Sequence, residues 1–323
     1  MEYRKFGKTN WNVSEIGYGM WGLASWKDSN LTEIKQALQL AVDLGCNFFD
    51  TAWAYAEGFS ERLLGELLAK NLHKKLYVAT KIPPKNFKWP AKPDYTLDEV
   101  FPYSHIIEYT EKSLKNLNID CIDLQQFHVW NDAWHAQDEW KLAVEKLKKE
   151  GKVKHFGISV NRWEPTNCLK TLDTGLIDAV QVIYNIFDQN PEDELFPYCQ
   201  KNTIAVIARV PFDEGTLTGM LTKDTVFPEG DWRRTYFCPE NLIPSVERAE
   251  KIKKIIPPNM TMVEVALRFI LENQTVSTVI PGMRKITHVK QNIAVSDKKK
   301  LEPSLLAELK KHRWDRTPTP WSQ

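Results

Sequence analysis

No apolar run in this 323-residue chain approaches the roughly 18 residues that a membrane-spanning helix needs. The N-terminus, MEYRKFGKTN, carries no apolar signal segment. Charge of one sign is missing too: 43 Lys and Arg stand against 42 Asp and Glu, so no bulk field draws nucleic acid or an anionic membrane. Five cysteines, at positions 46, 121, 168, 199 and 238, include no C-x-x-C pair, which fits a reducing cytoplasm better than a disulfide framework. Among the seven histidines none are paired at metal-ligand spacing on a helix, so no metal is expected. No linker or low-complexity break divides the chain, and residues 1–323 read as one domain with 42% hydrophobic content for its core.

What is present is alternation. After a hairpin signal, EYRKFGKTNWNV, short β-rich runs at 15–19, 47–50, 76–81, 121–127, 153–159, 179–183, 204–209 and 276–281 alternate with amphipathic runs. The latter span 31–45, 59–71, 104–118, 136–150, 164–173, 191–202, 261–273 and 285–295, with an extra helix near 244–256 after strand seven. Eight strands alternating with eight helices imply parallel pairing through crossover helices and favour a closed (β/α)8 TIM barrel over an open sheet.

The stretch GYGMWG (17–22) spells G-x-G-x-x-G, a dinucleotide-binding signature. Its mechanism needs a helix opening at the third glycine. A polar run, LASWKDSN, follows instead, so a Rossmann site is excluded on context.

In a barrel of this kind the chemistry lies at the C-terminal strand ends. Asp50 ends FFD, Tyr55 lies five residues on in DTAWAY, Lys81 ends VATK and His128 ends QQFH. Individually these are an ordinary turn cap, a packed tyrosine, a surface charge and a hydrogen-bonding histidine. Together they form an acid unit. A carbonyl that accepts hydride becomes an alkoxide and needs a proton donor in a positive field. A phenol titrates at about 10 in water, and an adjacent ammonium stabilises its anion. Lys81 can supply that field, Asp50 can orient Lys81, and His128 can steer the substrate oxygen.

From YRKFGKTNWNVSEIGYGMWG through DTAWAYAEGFSERLLGELL, VATK, DLQQFHVW, GIS, QVIYNIF and VIPGMRKITHVKQN, the chain resembles an aldo-keto reductase over nearly its full length. That resemblance implies a (β/α)8 barrel with Asp50, Tyr55, Lys81 and His128 as the active-site set and tyrosine as proton donor. It also implies NADPH (NADP+ when oxidised) bound in extended form without a Rossmann domain. Gly19, Met20 and Trp21 would then lie beside the nicotinamide, near Asp50, and Ser159 and Gln181 would hold its carboxamide and ribose end. The family commonly has Asn directly after that serine; here Val160 intervenes before Asn161. The segment ARVPFDEGTLTG matches the loop over the pyrophosphate, with Arg209, Val210, Pro211 and Phe212 at binding positions. Arg209 stands where the family has a stacking aromatic, and it is expected to lie flat on the nicotinamide or else to pair with Asp213 or Glu214. In PGMRKITHVKQN, Gly282, Arg284, His288, Gln291 and Asn292 match the 2′-phosphate and adenine positions. The basic pair Arg284–Lys285 at a helix start, where acids are usual, favours an anionic ligand.

Twelve tryptophans are many for this length, and Trp21, Trp53 and Trp130 fall in loops of the catalytic face as candidates to line a carbonyl pocket. The expected function is NADPH-dependent reduction of small aldehydes or ketones. The resemblance also admits a sugar or alcohol dehydrogenase working oxidatively, and a non-catalytic, redox-sensing NADPH-binding subunit.

Overall fold

The structure, a computed structural model, describes residues 1–23 and 30–316. Eight parallel strands run in the order of the chain around the molecule: β3 (Tyr18–Gly19), β4 (Phe48–Asp50), β5 (Tyr77–Ile82), β6 (Ile122–Phe127), β7 (Val153–Ser159), β8 (Ala179–Ile183), β9 (Ala205–Arg209) and β10 (Val276–Val279). The two ends of this sheet meet. Gly17 N–H donates to Val279 O (2.8 Å), Gly19 N–H to Pro281 O (3.0 Å), and Val279 N–H to Glu15 O (2.9 Å), so the sheet closes on itself as the expected (β/α)8 barrel. The antiparallel hairpin β1 (Tyr3–Lys5) and β2 (Asn12–Ser14) precedes it.

The period-2 geometry of a strand sorts side chains between barrel interior and outer wall. Phe48, Tyr77, Ala79, Leu124, Ala179, Ala205 and Ile207 form one inner cluster, into which the hairpin inserts Phe6, Trp11 and Val13. Trp11 stacks on Tyr77 at 4.8 Å, closing the N-terminal end of the barrel. Two residues further along the same strands the inward positions turn polar: Asp50, Lys81, Gln126, Ser159, Gln181 and Arg209. Apolar filling at one end therefore forces the polar groups together at the other.

The outward strand residues, such as Phe49, Val78, Ile122 and Val180, pack under the helices. α1 (Leu31–Asp43) buries Ile34, Ala37, Leu38, Ala41 and Val42 at helical spacing, and the Asn30 side chain caps its first turn. α2 (Phe59–Lys70) follows the Tyr55 loop. Next come a single turn, α3 (Leu97–Val100), then α4 (Tyr103–Leu117) and α5 (Asp138–Lys149). The helix expected at 164–173 shrinks to one turn, α6 (Leu169–Leu172). Pro165 and Asn167 interrupt it, and Asn167 instead accepts from Asp132 N–H (2.8 Å). α7 (Leu195–Asn202) is shorter than the expected 191–202, with a 3-10 turn over Asn190–Glu192 before it.

The segment after β9 builds a satellite cluster of Phe227, Tyr236, Phe237, Leu242 and Val246. It includes α8 (Arg233–Tyr236) and α9 (Pro239–Ile255). α9 begins five residues before the expected 244 and runs through Pro244. α10 (Met262–Glu272), α11 (Ile286–Ile293) and α12 (Pro303–Lys310) complete the fold.

The seat of α2 on α4 is tight. A Cβ on Gly65 would lie 2.6 Å from the Leu117 carbonyl oxygen and 2.9 Å from its carbon. Helix propensity alone favours Ala over Gly by about 1 kcal/mol, whereas overpacking against backbone costs about 1–3 kcal/mol. Gly65→Ala should therefore lower the melting temperature, and a thermal melt that rises would show that α2 is free to shift.

Candidate active site

The inward polar residues assemble around one buried ammonium. Lys81, fully buried near the C-terminal end of β5, donates from Nζ to Asp50 Oδ1 (2.5 Å), to the Thr51 carbonyl (2.7 Å) and to the Tyr55 hydroxyl (3.3 Å). Asp50 is buried at the end of β4, and its second oxygen accepts from Gln126 Nε2 (3.1 Å) and Gln181 Nε2 (2.7 Å). Burial works against the Lys81 charge, but the Asp50 carboxylate and the Tyr55 oxygen outweigh it and leave the lysine above its ordinary value. Removing one partner of such a buried pair typically costs about 3–5 kcal/mol.

Tyr55 departs from expectation in one respect. Lys81 does pull its phenol down, yet burial is the larger effect, so the group titrates above an ordinary tyrosine. At neutral pH it is protonated, the form a proton donor needs. His128, just past β6, sits edge-on to Tyr55 with ring centroids 5.8 Å apart. Burial, then Lys81 and Arg209, push its imidazole well below the usual histidine range, so it is neutral. Its Nδ1 is buried without a hydrogen-bond partner. All four expected residues therefore converge at the C-terminal mouth.

The expected cofactor positions occupy the same face. Ser159 and Gln181 are cross-strand partners in the register of β7 and β8. Gly19 and Gly282 form a bridge at the barrel seam, and Trp21 is 39% exposed above it. The Met20 side chain is fully buried in the outer core, and its N–H donates to Asp50 O (2.9 Å). Asn161 donates its amide to the Ala91 carbonyl (3.1 Å) and to Glu164 (3.0 Å), tying down the loop after β5. Arg209 donates to the Val160 carbonyl (3.1 Å), and its Nε is buried without a partner. Among the described residues it makes no ion pair. Asp213 pairs instead with Arg316 (2.9 Å) and Arg162 (3.4 Å). Val210, with φ 56°, is held through its carbonyl by Asn185 Nδ2 (3.1 Å), beside buried Pro211 and half-buried Phe212. Arg284 and His288 are half-buried at the start of α11, Gln291 is exposed and Asn292 buried along it. Burial, then Lys285 and Arg284, lower His288, which marks a positive field there.

The pocket candidates divide. Trp53 is half-buried, packed edge-on against Tyr109 (4.7 Å) beside Phe87 (6.2 Å). Trp130 is a correction: it is fully buried among Phe127, Trp134 and Trp140, and its Nε1 donates to Thr171 Oγ1 (2.9 Å). Two residues past His128 the strand has ended, and the chain turns this ring into the wall. The tryptophan beside the imidazole is Trp89, at 5.5 Å, from the loop after β5. Across the mouth Trp232 meets Trp21 at 5.1 Å. Trp89 and Trp232 carry no sequence signal, because loop aromatics have no spacing that aims them. Gln126 was legible: it lies two residues from inward Leu124 in DLQQF. The buried cluster of Arg162, Arg316, Asp188, Asp213 and Tyr236, which clamps the loop after β9, joins residues too distant in sequence to be paired by pattern.

A buried Asp–Lys–Tyr unit thus lies beside a neutral histidine at the mouth of the (β/α)8 barrel. Residues 15–313 match the model of the aldo/keto reductase family. The aldo-keto reductase yakc [NADP(+)] of Schizosaccharomyces pombe is 30% identical over 95% of this chain and 90% of its own length. The NADH-specific methylglyoxal reductase of Escherichia coli is 27% identical over 89% and 91%. Among solved structures, the holo form of aldo-keto reductase AKR11C1 from Bacillus halodurans is 25% identical over 100% of both chains, with a TM-score of 0.76. The chain belongs to the aldo/keto reductase family, oxidoreductases acting on carbonyls and alcohols with nicotinamide cofactors. No helix of the described residues is long and apolar enough to cross a membrane.

Because Trp130 is wall rather than pocket, Trp130→Phe should leave KM for any carbonyl substrate within about twofold. It should cost about 1–3 kcal/mol of stability through the lost bond to Thr171. Steady-state kinetics beside a denaturant melt test this, and a large KM change with unchanged stability would return Trp130 to the pocket.

Proposed function

We propose that the protein reduces small aldehydes or ketones to alcohols, using NADPH and Tyr55 as the proton donor. The observation that carries this reading is the 3.3 Å contact between the Tyr55 hydroxyl and a lysine that Asp50 keeps charged. When bound, a reduced nicotinamide supplies hydride. The residues of the chain supply the rest. Neutral His128 presents a ring nitrogen that orients the substrate oxygen, and Tyr55 gives its hydroxyl proton to that oxygen. Lys81 stabilises the tyrosinate left behind, while Asp50, Gln126 and Gln181 hold Lys81 in place. Trp21, Trp53, Trp89 and Trp232 surround the mouth with apolar surface, which favours uncharged carbonyl compounds.

The donor set suits a dinucleotide. Ser159, at the end of β7, pairs in register with Gln181, whose amide donates to Asp50, and the orphaned Nε of Arg209 faces the same end of the barrel. We assign Arg209 to the nicotinamide side, where its planar guanidinium can stack on a ring in place of the family's aromatic. The positive field of Arg284 and Lys285 around His288 supports a 2′-phosphate, hence NADPH over NADH. The relatives use either cofactor by name, which makes this choice the one to measure.

Tyr55→Phe should keep the fold and cofactor affinity and lower turnover about 10²–10⁴-fold. Wild-type turnover of a good aldehyde by the purified variant would remove Tyr55 from the mechanism. Arg284→Ala should weaken NADPH by roughly 10–100-fold, the loss of about 1.5–3 kcal/mol from a charge-assisted hydrogen bond, and NADH far less. Fluorescence titration of both cofactors measures it, with equal losses for the two showing that Arg284 does not read the phosphate.

A further inference from the structure

Each catalytic strand residue on the inner face of the barrel has a neighbour, one position away, on the outer face. Thr51 follows Asp50 and Thr80 precedes Lys81, and both are fully buried. Their hydroxyls reach across to α2: Thr51 Oγ1 donates to Ser60 Oγ (2.7 Å), and Thr80 Oγ1 donates to Glu61 Oε1 (2.6 Å). Ser60 and Glu61 are consecutive residues in the first turn of α2, directly after the loop that carries Tyr55. The other Glu61 oxygen accepts from Asn116 Nδ2 (2.8 Å) near the end of α4.

The loop between Tyr55 and α2 is strained. Ala56, Glu57 and Gly58 have φ of 48°, 50° and 78°, so two residues with side chains occupy the left-handed region. Such conformations persist only where their surroundings over-determine them. Here Asn116 is seated against Gly58 so closely that a Cβ there would lie 2.1 Å from its Nδ2. Arg62 Nη1 donates to the Glu57 carbonyl (3.2 Å) and to Asn116 Oδ1 (3.4 Å).

Glu61 has no part in the proton transfer described above. Its carboxyl is fully buried on the far side of the barrel wall, without an ion pair among the described residues, and burial pushes it above the ordinary carboxylate range. A buried carboxyl held by hydrogen bonds alone is unfavourable unless those bonds are complete.

We infer that Glu61 is a positioning residue for the proton donor. Through Thr80 it ties the strand bearing Lys81 to α2, and through Asn116 it holds the turn that follows Tyr55, so that phenol and ammonium stay in contact. The inference rests on the reading of Tyr55 as proton donor.

The test is a double-mutant cycle on the full-length protein with a good aldehyde and saturating NADPH. Glu61→Ala and Asn116→Ala should each lower kcat about 10–100-fold, the scale of a misplaced catalytic group. KM and cofactor Kd should stay within about twofold. Glu61→Gln keeps one acceptor oxygen, for Thr80, but turns an N–H toward the donating Asn116 amide, so its loss should match that of Asn116→Ala. In a Tyr55→Phe background the same substitutions should change turnover by less than about twofold, because nothing is left to position. Equal fold-losses in both backgrounds would overturn the inference. If Glu61→Ala does not fold, Asn116→Ala, at a half-buried helix end, decides the matter. Wild-type turnover in Asn116→Ala beside an inactive Tyr55→Phe overturns this inference alone. Full turnover in Tyr55→Phe overturns the proton-donor reading, and this inference with it.

Discussion

The buried pair between Lys81 and Asp50 is the interaction on which the site depends. An ammonium inside a barrel pays a desolvation penalty that only a matched, fully hydrogen-bonded partner offsets. The structure supplies that match completely: carboxylate, Thr51 carbonyl and phenol oxygen around Nζ, and two glutamine amides on the second oxygen of Asp50. The result is a cation that stays charged where water is scarce and is aimed at one hydroxyl. His128, under the same field, stays neutral. One charge therefore adds to burial in keeping the histidine neutral and favours the anion of the tyrosine.

The barrel makes this pair affordable by segregation along its axis. Rings from the hairpin and the first inward residues of the strands fill the N-terminal end, leaving the polar positions to gather at the other. The loops then finish what the strands begin. The turn after Tyr55 is held from α2 and α4, the loop after β5 is tied through Asn161, and the loop after β9 is clamped by Arg162 and Arg316. Three loops on the catalytic face are thus fixed by side chains from other elements, which gives the mouth a shape that no loop would keep alone.

How far each feature could be read beforehand follows from how local its cause is. Strand ends and inward positions obey a period of two, so Asp50, Lys81 and Gln181 were aimed by their neighbours. Tyr55 and His128 lie just beyond strands and inherited that direction. Trp130, also near a strand end, did not: its indole found Thr171 in the wall and turned away. Trp89 reached the imidazole from a loop whose course is decided by contacts with Asn161 and the core, and nothing in its own surroundings in the chain announces that. The helix expected at 164–173 failed because Pro165 and the capping demand of Asp132 N–H outcompeted a weak amphipathic pattern.

By itself the sequence determined the alternation of strands and helices, the polar ends of the strands, and the residue types of an acid–base unit, because each follows from short-range periodicity and side-chain chemistry. Only the tertiary structure decided which tryptophans face the mouth, which carboxylate Arg209 leaves to Arg162 and Arg316, and what stands behind the catalytic wall. It also decided the balance at Tyr55, where burial outweighs the lysine that faces it. Those outcomes depend on packing between segments far apart in the chain, where competing partners differ by a few hydrogen bonds and a change of burial.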